Sequence, residues 1–346
     1  MLCLVPAHRA FSLDAVLRPR LRRATLPAWC LFLLRFQVGV VYVFAGLAKA
    51  QPDWLLHGQP MGMWLAARTE IPVLGPVFGL PHMALLMSWA GFLFDTTIVV
   101  WLRLRRTRPY AYALVIVFHT LTHVLFHIGI FPFLMMLSAP IFFDADWPRH
   151  ALARLGRARS SAPRLIQRAV ASPASGRLTA PLTLGLALYM LVQVALPLRA
   201  HAYGGNVLWH EQGMRFSFRV MVRSKTGAVT YRVRARGLVN EQRVEPCRYL
   251  NSLQEREMAG QPDLVLQLAH RIADDYRARG HEDVQVRADV FVSLNGRPSQ
   301  RLIDADVDLA AVRDGLSPAR YILPAPTTPP LHTPPPPRAR TLALGR

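Results

Sequence analysis

The sequence has only three cysteines among its 346 residues, Cys3, Cys30 and Cys247. An odd number at unrelated spacings indicates neither a framework of disulfide bonds nor a cysteine-bound zinc ion. The first residues, Met1 to Pro6, also lack the charged segment and the small-residue cleavage site of a signal peptide. The architecture must therefore be predicted from the patterns of charge and hydropathy, since the cysteines indicate no disulfide or zinc cross-links.

Acidic residues are scarce, because 21 Asp and Glu stand against 41 Lys and Arg, which gives a net charge of +20 and a pI of about 11.2. Such a charge is common in nucleic-acid-binding proteins, but here the basic residues cluster beside apolar runs. The clusters are Arg18, Arg20, Arg22 and Arg23, then Arg103, Arg105, Arg106 and Arg108, then Arg149, Arg154, Arg157, Arg159, Arg164 and Arg168. Basic residues flank membrane helices on the cytoplasmic side, so this placement predicts a lipid bilayer as partner and no nucleic acid.

Hydrophobic residues make up 52% of the chain, and three runs have about the ~20 residues that a helix needs to cross the hydrocarbon core. They extend over residues 28–48, 83–102 and 181–198. A fourth run, 110–143, is too long for one crossing, and its Gly-Ile-Phe-Pro stretch favours a break. We predict a span over 110–130 and a short or re-entrant apolar helix over 131–143, within an α-helical transmembrane bundle over 28–198.

The basic clusters also predict an orientation. Residues 1–27 are expected to be cytoplasmic, so that the first span ends at Lys49 on the exported face and the loop at 103–108 is cytoplasmic again. The basic linker at 149–168 is cytoplasmic as well if the 110–143 region crosses an even number of times. The last span then exports everything after Arg199, which in a bacterial inner membrane means the periplasm.

The exported part, residues 199–323, alternates apolar and polar residues in the manner of β-strands. The alternation predicts a hairpin in which strands around 216–222 and 229–233 are joined by a turn at 224–227. We therefore predict a mainly β soluble domain after the transmembrane bundle.

Two further patterns complete this domain. Apolar residues at every fourth position predict one helix that begins at Pro262 and ends at Gly280. A later strand over 284–292 is followed by the turn dipeptide Asn295-Gly296. Residues 324–346 are rich in proline and cannot form a core, so they are predicted to be a disordered tail.

Five ionisable residues lie inside the predicted spans: Arg35, Asp95, His119, His123 and His127. Since a charge at the bilayer centre costs roughly 2.5–3.5 kcal/mol on insertion scales, each of them is a functional candidate. Arg35 and Asp95 have an alternative role as an interhelical ion pair that only holds the bundle together.

The three histidines recur at every fourth position and therefore share one helix face, which can present two imidazoles to a metal ion. No carboxylate lies on that face, and no second histidine cluster of the kind found in membrane di-iron enzymes occurs. The pattern favours interhelical hydrogen bonds over a metal site. A metal-dependent membrane oxidoreductase that uses His119, His123 and His127 stays an alternative hypothesis.

Lys49 ends the first span at the exported membrane surface, shortly before Trp54. A lysine beside an interfacial tryptophan commonly just extends its ammonium group into water, and spacing alone favours that role. A lysine that acts as a base must be neutral, and partial desolvation at a membrane boundary favours the neutral form of an amine. The residues by themselves leave both roles open.

Three separated blocks of sequence resemble the vitamin K-dependent gamma-carboxylase family, whose members carry a horizontally transferred transmembrane (HTTM) domain. The first block is VYVFAGLAKAQPDW, in which the family's lysine corresponds to Lys49. The second block is FHTLTHVLFHIGIFPF with LSAPIFF and DWPR, and the third is GMRFSFRVMVRSKTG with RYLNS and VRADVFVSLNGRPSQRLIDADVDL. Because the blocks follow in the family's order, the sequence is identified as a member from about residue 28 to 310.

The resemblance implies a reaction at the exported membrane face. In the family a lysine deprotonates vitamin K hydroquinone, O₂ converts it to an epoxide through a strongly basic alkoxide, that base removes a γ-proton from glutamate, and CO₂ adds to the carbanion. Lys49 is the implied base, and we expect His119, Asp95, Trp54 and Arg35 in the quinone or substrate pocket, with no metal ion. The implied cofactors are the hydroquinone or another quinol, CO₂ and O₂, and the implied partner is a glutamate-containing peptide or protein.

Two departures from the family pattern leave alternatives open. His123 and His127 stand where small polar residues are expected, which indicates local variation. Residues 6–15 resemble the segment that follows an earlier set of family helices with an Asn-His motif, so either the reading frame extends upstream or the chain is a remnant without part of the quinone pocket. The remaining alternative to an enzyme is a non-catalytic HTTM protein that binds a partner through its exported domain.

Overall fold

A computed structural model of the chain describes residues 12–21, 27–126, 128–148 and 179–331, together with the single positions 5 and 151. A helical region with long apolar helices is followed by a domain built on four antiparallel strands, which confirms the predicted fold class. The helices of the described residues are α1 (Leu13–Leu17), α2 (Ala28–Lys49), α3 (Pro52–Leu55), α4 (Met61–Ala66), α5 (Gly75–Phe78), α6 (Met83–Arg103), α7 (Arg108–Phe126), α8 (Phe131–Ser138), α9 (Ala180–Leu198), α10 (Val207–His210), α11 (Ser252–Ala259) and α12 (Pro262–Ala278). The strands are β1 (Lys225–Arg236), β2 (Gln242–Val244), β3 (Glu282–Leu294) and β4 (Gln300–Arg301).

Four helical stretches in the described residues are long and apolar enough to cross a membrane: α2, α6, α7 and Ala180–Tyr203, which begins with α9. A helix suits the bilayer because it satisfies its backbone hydrogen bonds internally. Prolines mark several ends, since Pro52 follows α2 and Pro109 stands in the first turn of α7, where its missing N–H costs nothing. The chain is a membrane protein.

The long apolar run after residue 110 breaks at the glycine and proline that predict the break. Helix α7 ends at Phe126, Gly129 has φ +61°, and α8 begins with Pro132 in its first turn. A left-handed backbone of this kind has no steric cost for glycine. A 3₁₀ turn, Ala139–Phe142, continues from α8, and both segments pack against α7.

The sheet has the strand order β2-β1-β3-β4, and β1 pairs with β3 along nearly its whole length. Alternate residues of both strands point into one core, and the completely buried ones are Tyr231, Val233, Val286, Ala288, Val290 and Val292. Helix α12 covers this face through a stripe that includes Val265, Ala269 and Ile272. The Tyr231 hydroxyl donates a 2.9 Å hydrogen bond to the carbonyl of Val265 and so ties helix to sheet.

The predicted hairpin between residues 216–222 and 229–233 is wrong. The first segment is irregular, with Phe216, Phe218 and Met221 at φ +61°, +53° and +51°, and β1 begins at Lys225, inside the predicted turn. Alternation shows which residues share a face but not which strand is the partner, and β3 offers β1 a longer alternating surface.

The prediction of one helix in this domain also needs correction. The predicted helix is present as α12, but α11 precedes it, with Asn251 and Gln254 forming a capping box at its start. Only Met258 and Ala259 of α11 are buried, so the helix carries almost no apolar periodicity. The Asn295-Gly296 turn is confirmed, because β3 and β4 on either side of it pair antiparallel.

The chain divides into two compact units. We call residues 1–43 and 95–194 the helical unit, and residues 44–94 and 195–346 the sheet unit. The sheet unit therefore contains the end of α2, the first half of α6 and the C-terminal domain. Lys49 belongs to the same unit as the C-terminal domain. The basic clusters predict that both lie on the exported side of the membrane.

Some sequence predictions fall outside the described residues: those for Arg22 and Arg23, for most of the basic linker at 149–168, for the end of the proline-rich tail after residue 331, and for His127. The assignment of one membrane face to the cytoplasm and of the other to the exported side stays a prediction.

Gly227 gives a test of the packing between β1 and α11. A Cβ at this position would come within 2.7 Å of the Ala259 carbonyl oxygen and 3.0 Å of a Val292 methyl group. Gly227→Ala should therefore lower the free energy of unfolding by about 1–3 kcal/mol, the usual cost of overpacking. Gly315→Ala is the control, because a Cβ there meets nothing within 4 Å. Equal thermal midpoints of the two detergent-solubilised variants would contradict this packing.

Candidate active site

Lys49 is the last residue of α2, and it is buried, with 6% of the residue exposed. Its Nζ donates hydrogen bonds to the carbonyl of Ala45, one turn earlier, at 3.2 Å, and to the carbonyl of Val220 at 3.5 Å. The first bond is common for a lysine at a helix C-terminus, where the last carbonyls have no partner within the helix. The second joins the end of the span to the C-terminal domain. The side chain does not extend into water, which is the role that spacing alone favours.

Trp54 forms an aromatic wall beside this amine. The residue is 1% exposed, and its ring centroid lies 5.5 Å from the Lys49 Nζ, within the range in which an indole face stabilises a cation. The indole Nε1 donates a 2.7 Å hydrogen bond to the carbonyl of Ser88 on α6, which fixes the ring. At Gly91, one turn further along α6, an added Cβ would lie 3.7 Å from Trp54 and 4.0 Å from the Lys49 Cε. Sequence reasoning predicted both Lys49 and Trp54 for the site, and the fold brings them together.

Asp53, between these two residues, anchors the segment in the C-terminal domain. Its carboxylate accepts two hydrogen bonds from the Arg297 guanidinium, at 2.6 and 2.7 Å, and one from the Asn295 amide at 2.8 Å. Arg297 also donates to the carbonyl of Thr328 at 2.6 Å. Burial opposes the charge of Asp53, but the hydrogen bonds from Arg297 and Asn295 outweigh it and hold the pKa of this carboxyl below its usual value. We call Asp53, Asn295 and Arg297 the Asp53 clamp.

Two residues of the Asp53 clamp, Asn295 and Arg297, lie in the hairpin turn between β3 and β4. Asn295 and Gly296 have φ +52° and +82°, as in the tight turns that join antiparallel strands. Asn295 is held in turn by two hydrogen bonds with the backbone of Ser224. Gln51 adds a 3.3 Å hydrogen bond to the carbonyl of Val222, so the loop after Lys49 meets the domain at two places.

The chain has one other lysine, Lys225, and it is engaged differently. Its buried Nζ lies 3.1 Å from Glu211 and donates a 2.6 Å hydrogen bond to the carbonyl of Trp209. Burial lowers the pKa of Lys225 to about 8, although Glu211 acts in the opposite direction. Burial also raises the pKa of Glu211, against the influence of Lys225 and Arg223. A buried pair of this kind usually has a structural role.

The other predicted site residues lie in the helical unit. The His119 Nε2 is 3.0 Å from the Tyr42 hydroxyl, and both residues are buried, as is Asp95. Arg35 donates hydrogen bonds to the carbonyls of residues 141, 142 and 143, at 2.9, 3.3 and 2.9 Å. The alternative of an ion pair between Arg35 and Asp95 is therefore wrong.

The histidine face does not assemble into a metal site within the described residues. The His119 ring meets Tyr42, and the His123 ring packs edge-on against Phe133 at 4.6 Å between centroids. The His119–Tyr42 contact is an interhelical hydrogen bond of the kind that the spacing favours, whereas the contact of His123 with Phe133 is a ring contact. His127 lies outside the described residues.

Sequence reasoning missed the Asp53 clamp and Tyr42. The clamp had two local signals, since Asp53 is part of the carboxylase-like segment with Lys49 and Trp54, and Arg297 directly follows the Asn295-Gly296 turn. No sequence pattern indicates that Asp53 and Arg297 contact each other.

Comparison with known families agrees with this architecture. Residues 1–147 match the HTTM domain, and residues 179–328 match the lumenal domain of vitamin K-dependent gamma-carboxylase. No solved structure matches the chain. Lys49, Asp53 and Trp54 lie in the first matched region and the rest of the clamp in the second, so the clamp joins the two family domains. The chain belongs to the vitamin K-dependent gamma-carboxylase family, whose members carry an HTTM domain.

Proposed function

We propose that the protein carboxylates glutamate side chains of a peptide or protein substrate and couples this reaction to the oxidation of reduced vitamin K or a related quinol to its epoxide. One observation carries the proposal: a buried amine, Lys49, stands at the end of a membrane helix and is fixed to a domain that matches the carboxylase lumenal domain. A lysine with only a membrane-anchoring role needs neither burial nor a bond to that domain.

The residues around Lys49 fit a flat, lipid-soluble quinol. Trp54 offers an aromatic ring, and α6 has a glycine, Gly91, next to both side chains, where a Cβ would lie 3.7 Å from Trp54 and 4.0 Å from the Lys49 Cε. His119 and Asp95 stay proposed pocket residues, whereas the bonds of Arg35 to three carbonyls favour a structural role.

When bound, the quinol reacts with O₂ and supplies the strong base that removes a γ-proton from glutamate before CO₂ adds. The part of Lys49 is to accept the proton of a quinol hydroxyl, for which its amine must first be neutral. The carbonyls of Ala45 and Val220 hold the Nζ in place while it gains that proton, because they accept its N–H groups in both protonation states. Trp54 and the apolar surface of α6 exclude water, which protects a strong base from protonation by solvent.

A cavity of about 600 Å³ in the sheet unit is a proposed site for the glutamate-containing peptide. Its lining includes Arg199 and Arg320, whose guanidinium groups suit carboxylates, together with Glu211 and the ion pair between Arg215 and Asp263 at 2.6 Å. Arg199 and Arg320 are the arginines of this lining that we propose for the glutamate side chains of the peptide.

Quinol oxidation by membranes that contain the protein tests this function. In the presence of O₂, bicarbonate and a glutamate peptide, we expect epoxide formation that chromatography and mass spectrometry can measure. Boiled membranes and membranes without the protein give the background. If the quinol is lost only at the background rate and no epoxide forms, the proposed coupling of carboxylation to quinol epoxidation is excluded.

A further inference from the structure

The face of the sheet that points away from its core carries a group of arginines. Helices α11 and α12 contribute to the core on one face, and alternate residues of the strands point to the other. The arginines that point outward are Arg232 and Arg234 on β1, Arg243 on β2, Arg287 on β3 and Arg301 on β4. We call the surface formed by these five residues the arginine face.

The strand register places three of these arginines directly beside one another. Arg232 on the central strand β1 is paired with Arg243 on one side and with Arg287 on the other. The Cβ atoms of directly opposite residues are about 4.5–5.5 Å apart, and like charges at such positions destabilise a sheet. The repulsion in this row has to be offset, either by carboxylates of the chain or by a bound partner.

The chain's own carboxylates offset part of the repulsion. Asp289 pairs with both Arg232 and Arg301, each at 3.0 Å. Arg232 also lies 3.5 Å from Glu241 and donates a 2.8 Å hydrogen bond to the carbonyl of Ala305. Two of the five arginines are therefore engaged within the domain.

The other three arginines, Arg234, Arg243 and Arg287, have no carboxylate within 4.0 Å of their guanidinium groups among the residues that the structure describes. The Nε of Arg287 is buried, and it also has no hydrogen-bond acceptor in this part of the chain. Arg234 and Arg243 are exposed. These three groups keep their charge and their donors available for an anion from outside the chain.

The positions of these three arginines select the kind of anion. With strands about 4.8 Å apart and a rise of about 3.4 Å per residue, Arg234, Arg243 and Arg287 form a triangle with sides of about 8–10 Å. Side chains stand roughly perpendicular to a sheet, so the guanidinium groups stay separated by similar distances. A single phosphate or sulfate is too small to bridge them. Carboxylates at alternate positions of an extended peptide are about 7 Å apart and can reach two corners at once.

We propose that the arginine face binds an acidic segment of another protein, in which several carboxylates follow one another within a few residues. Each carboxylate can accept two parallel hydrogen bonds from one guanidinium group. A nucleic acid fits less well, because Asp289 and the carbonyl of Ala305 lie within the face and repel phosphates. Both groups can instead accept hydrogen bonds from the N–H groups of a peptide.

This surface is additional to the cavity that we propose for the glutamate peptide, since the arginines assigned there are Arg199 and Arg320. The inference does not depend on the proposed function, because binding at the arginine face needs neither a quinol nor Lys49.

Fluorescence anisotropy of the full-length protein in nanodiscs of uncharged lipid tests the arginine face without turnover. The probe is a short fluorescein-labelled peptide in which aspartate alternates with serine. The double variant Arg243→Gln with Arg287→Gln should weaken its binding by at least about tenfold, as expected for the loss of two charge-assisted hydrogen-bonding groups. Arg234→Gln is a second, independent variant and should weaken binding by about threefold or more. The same peptide with asparagine in place of aspartate should not bind.

The matched control is Arg236→Gln, which removes the same charge from the same strand. Arg236 already pairs with Glu282 at 3.2 Å and is 72% exposed, so its loss should change the dissociation constant by less than about twofold. The double variant should unfold at the same temperature as the wild type or at a higher one, because it relieves repulsion between opposite like charges.

Three results would overturn the proposal. An equal loss of affinity in Arg236→Gln and in the double variant would show that only the net charge of the domain attracts the peptide. A lower thermal midpoint in the double variant than in Arg236→Gln would show that Arg243 and Arg287 serve the stability of the sheet. Tighter binding of a deoxythymidine oligonucleotide with the same charge as the peptide would show that the face prefers phosphates.

Discussion

Replacement of Lys49 by arginine is expected to reduce quinol epoxidation and glutamate carboxylation by at least about 100-fold, the lower range for the loss of a general base. Arginine keeps the positive charge and can still reach the carbonyl of Ala45 and the face of Trp54. It cannot act as the base, however, because its guanidinium is not deprotonated in proteins. Lys49→Met, which keeps the length but not the amine, should lose activity to the same extent. Initial rates in membranes with equal amounts of protein give the comparison.

The matched control is Lys225→Arg, since Lys225 is the only other lysine of the chain. The exchange keeps the charge beside Glu211, so we expect folding and most of the activity to survive. Activity retained in Lys49→Arg but lost in Lys49→Met would show that Lys49 supplies only charge and packing. Lys49→Ala gives a smaller test. Small primary amines added to the assay should restore part of its lost activity, because they can take the place of the missing amine.

Replacement of Asp53 by asparagine is expected to lower the free energy of unfolding by about 3–5 kcal/mol, the usual effect of removing one partner of a buried ion pair. The change leaves the buried Arg297 guanidinium without the carboxylate that accepts two of its hydrogen bonds. The loop that carries Trp54 loses its anchor in the C-terminal domain at the same time, so carboxylation should fall together with stability. Thermal and chemical unfolding in detergent measure the first effect, and the epoxide assay measures the second.

Glu282→Gln is the matched control for Asp53→Asn, because it also converts a carboxylate that pairs with arginine into an amide. The Arg236–Glu282 pair is 72% and 70% exposed, and such pairs contribute about 0–1 kcal/mol. The double variant Asp53→Leu with Arg297→Leu should recover part of the loss, since it leaves no unpaired charge. Equal losses in Asp53→Asn and Glu282→Gln would contradict the role of the clamp.

The contribution of the Asp53 clamp to the free energy of unfolding should decrease as the pH falls. The folded-state pKa of Asp53 lies below its unfolded value, so its contribution to stability is complete above the unfolded pKa of about 3.9 and is lost as the pH falls through the folded pKa. The stability difference between the wild type and Asp53→Asn should therefore be largest near neutral pH and shrink in acid.

The sequence predicts those parts of the structure that depend on local patterns. The spans follow from runs of about 20 apolar residues, the break after α7 from Gly129 and Pro132, and the β3–β4 turn from Asn295-Gly296. Each of these signals lies within the element that it specifies.

The parts that sequence reasoning misses depend on pairings between distant residues. Asp53 and Arg297 are 244 positions apart, and no local pattern states that they meet. The partner of β1 is β3, and the paired residues, from Arg236 with Glu282 to Lys225 with Leu294, lie between 46 and 69 positions apart, although a nearer segment also alternates. The Tyr42–His119 contact likewise depends on how α2 and α7 pack, which periodicity does not reveal. Lys49 is recognised by its sequence context, but its burial is visible only once α3 and the C-terminal domain are in place.

The most direct test of the proposed function is the incorporation of isotopically labelled bicarbonate into a glutamate peptide by the purified full-length chain. We predict that mass spectrometry will find labelled carboxyl groups on the glutamate side chains only when a reduced quinol and O₂ are both present, and that Lys49→Arg will abolish them. Incorporation that needs no quinol, or that Lys49→Arg leaves unchanged, would contradict the assignment of Lys49 as the base of a quinol-dependent carboxylase.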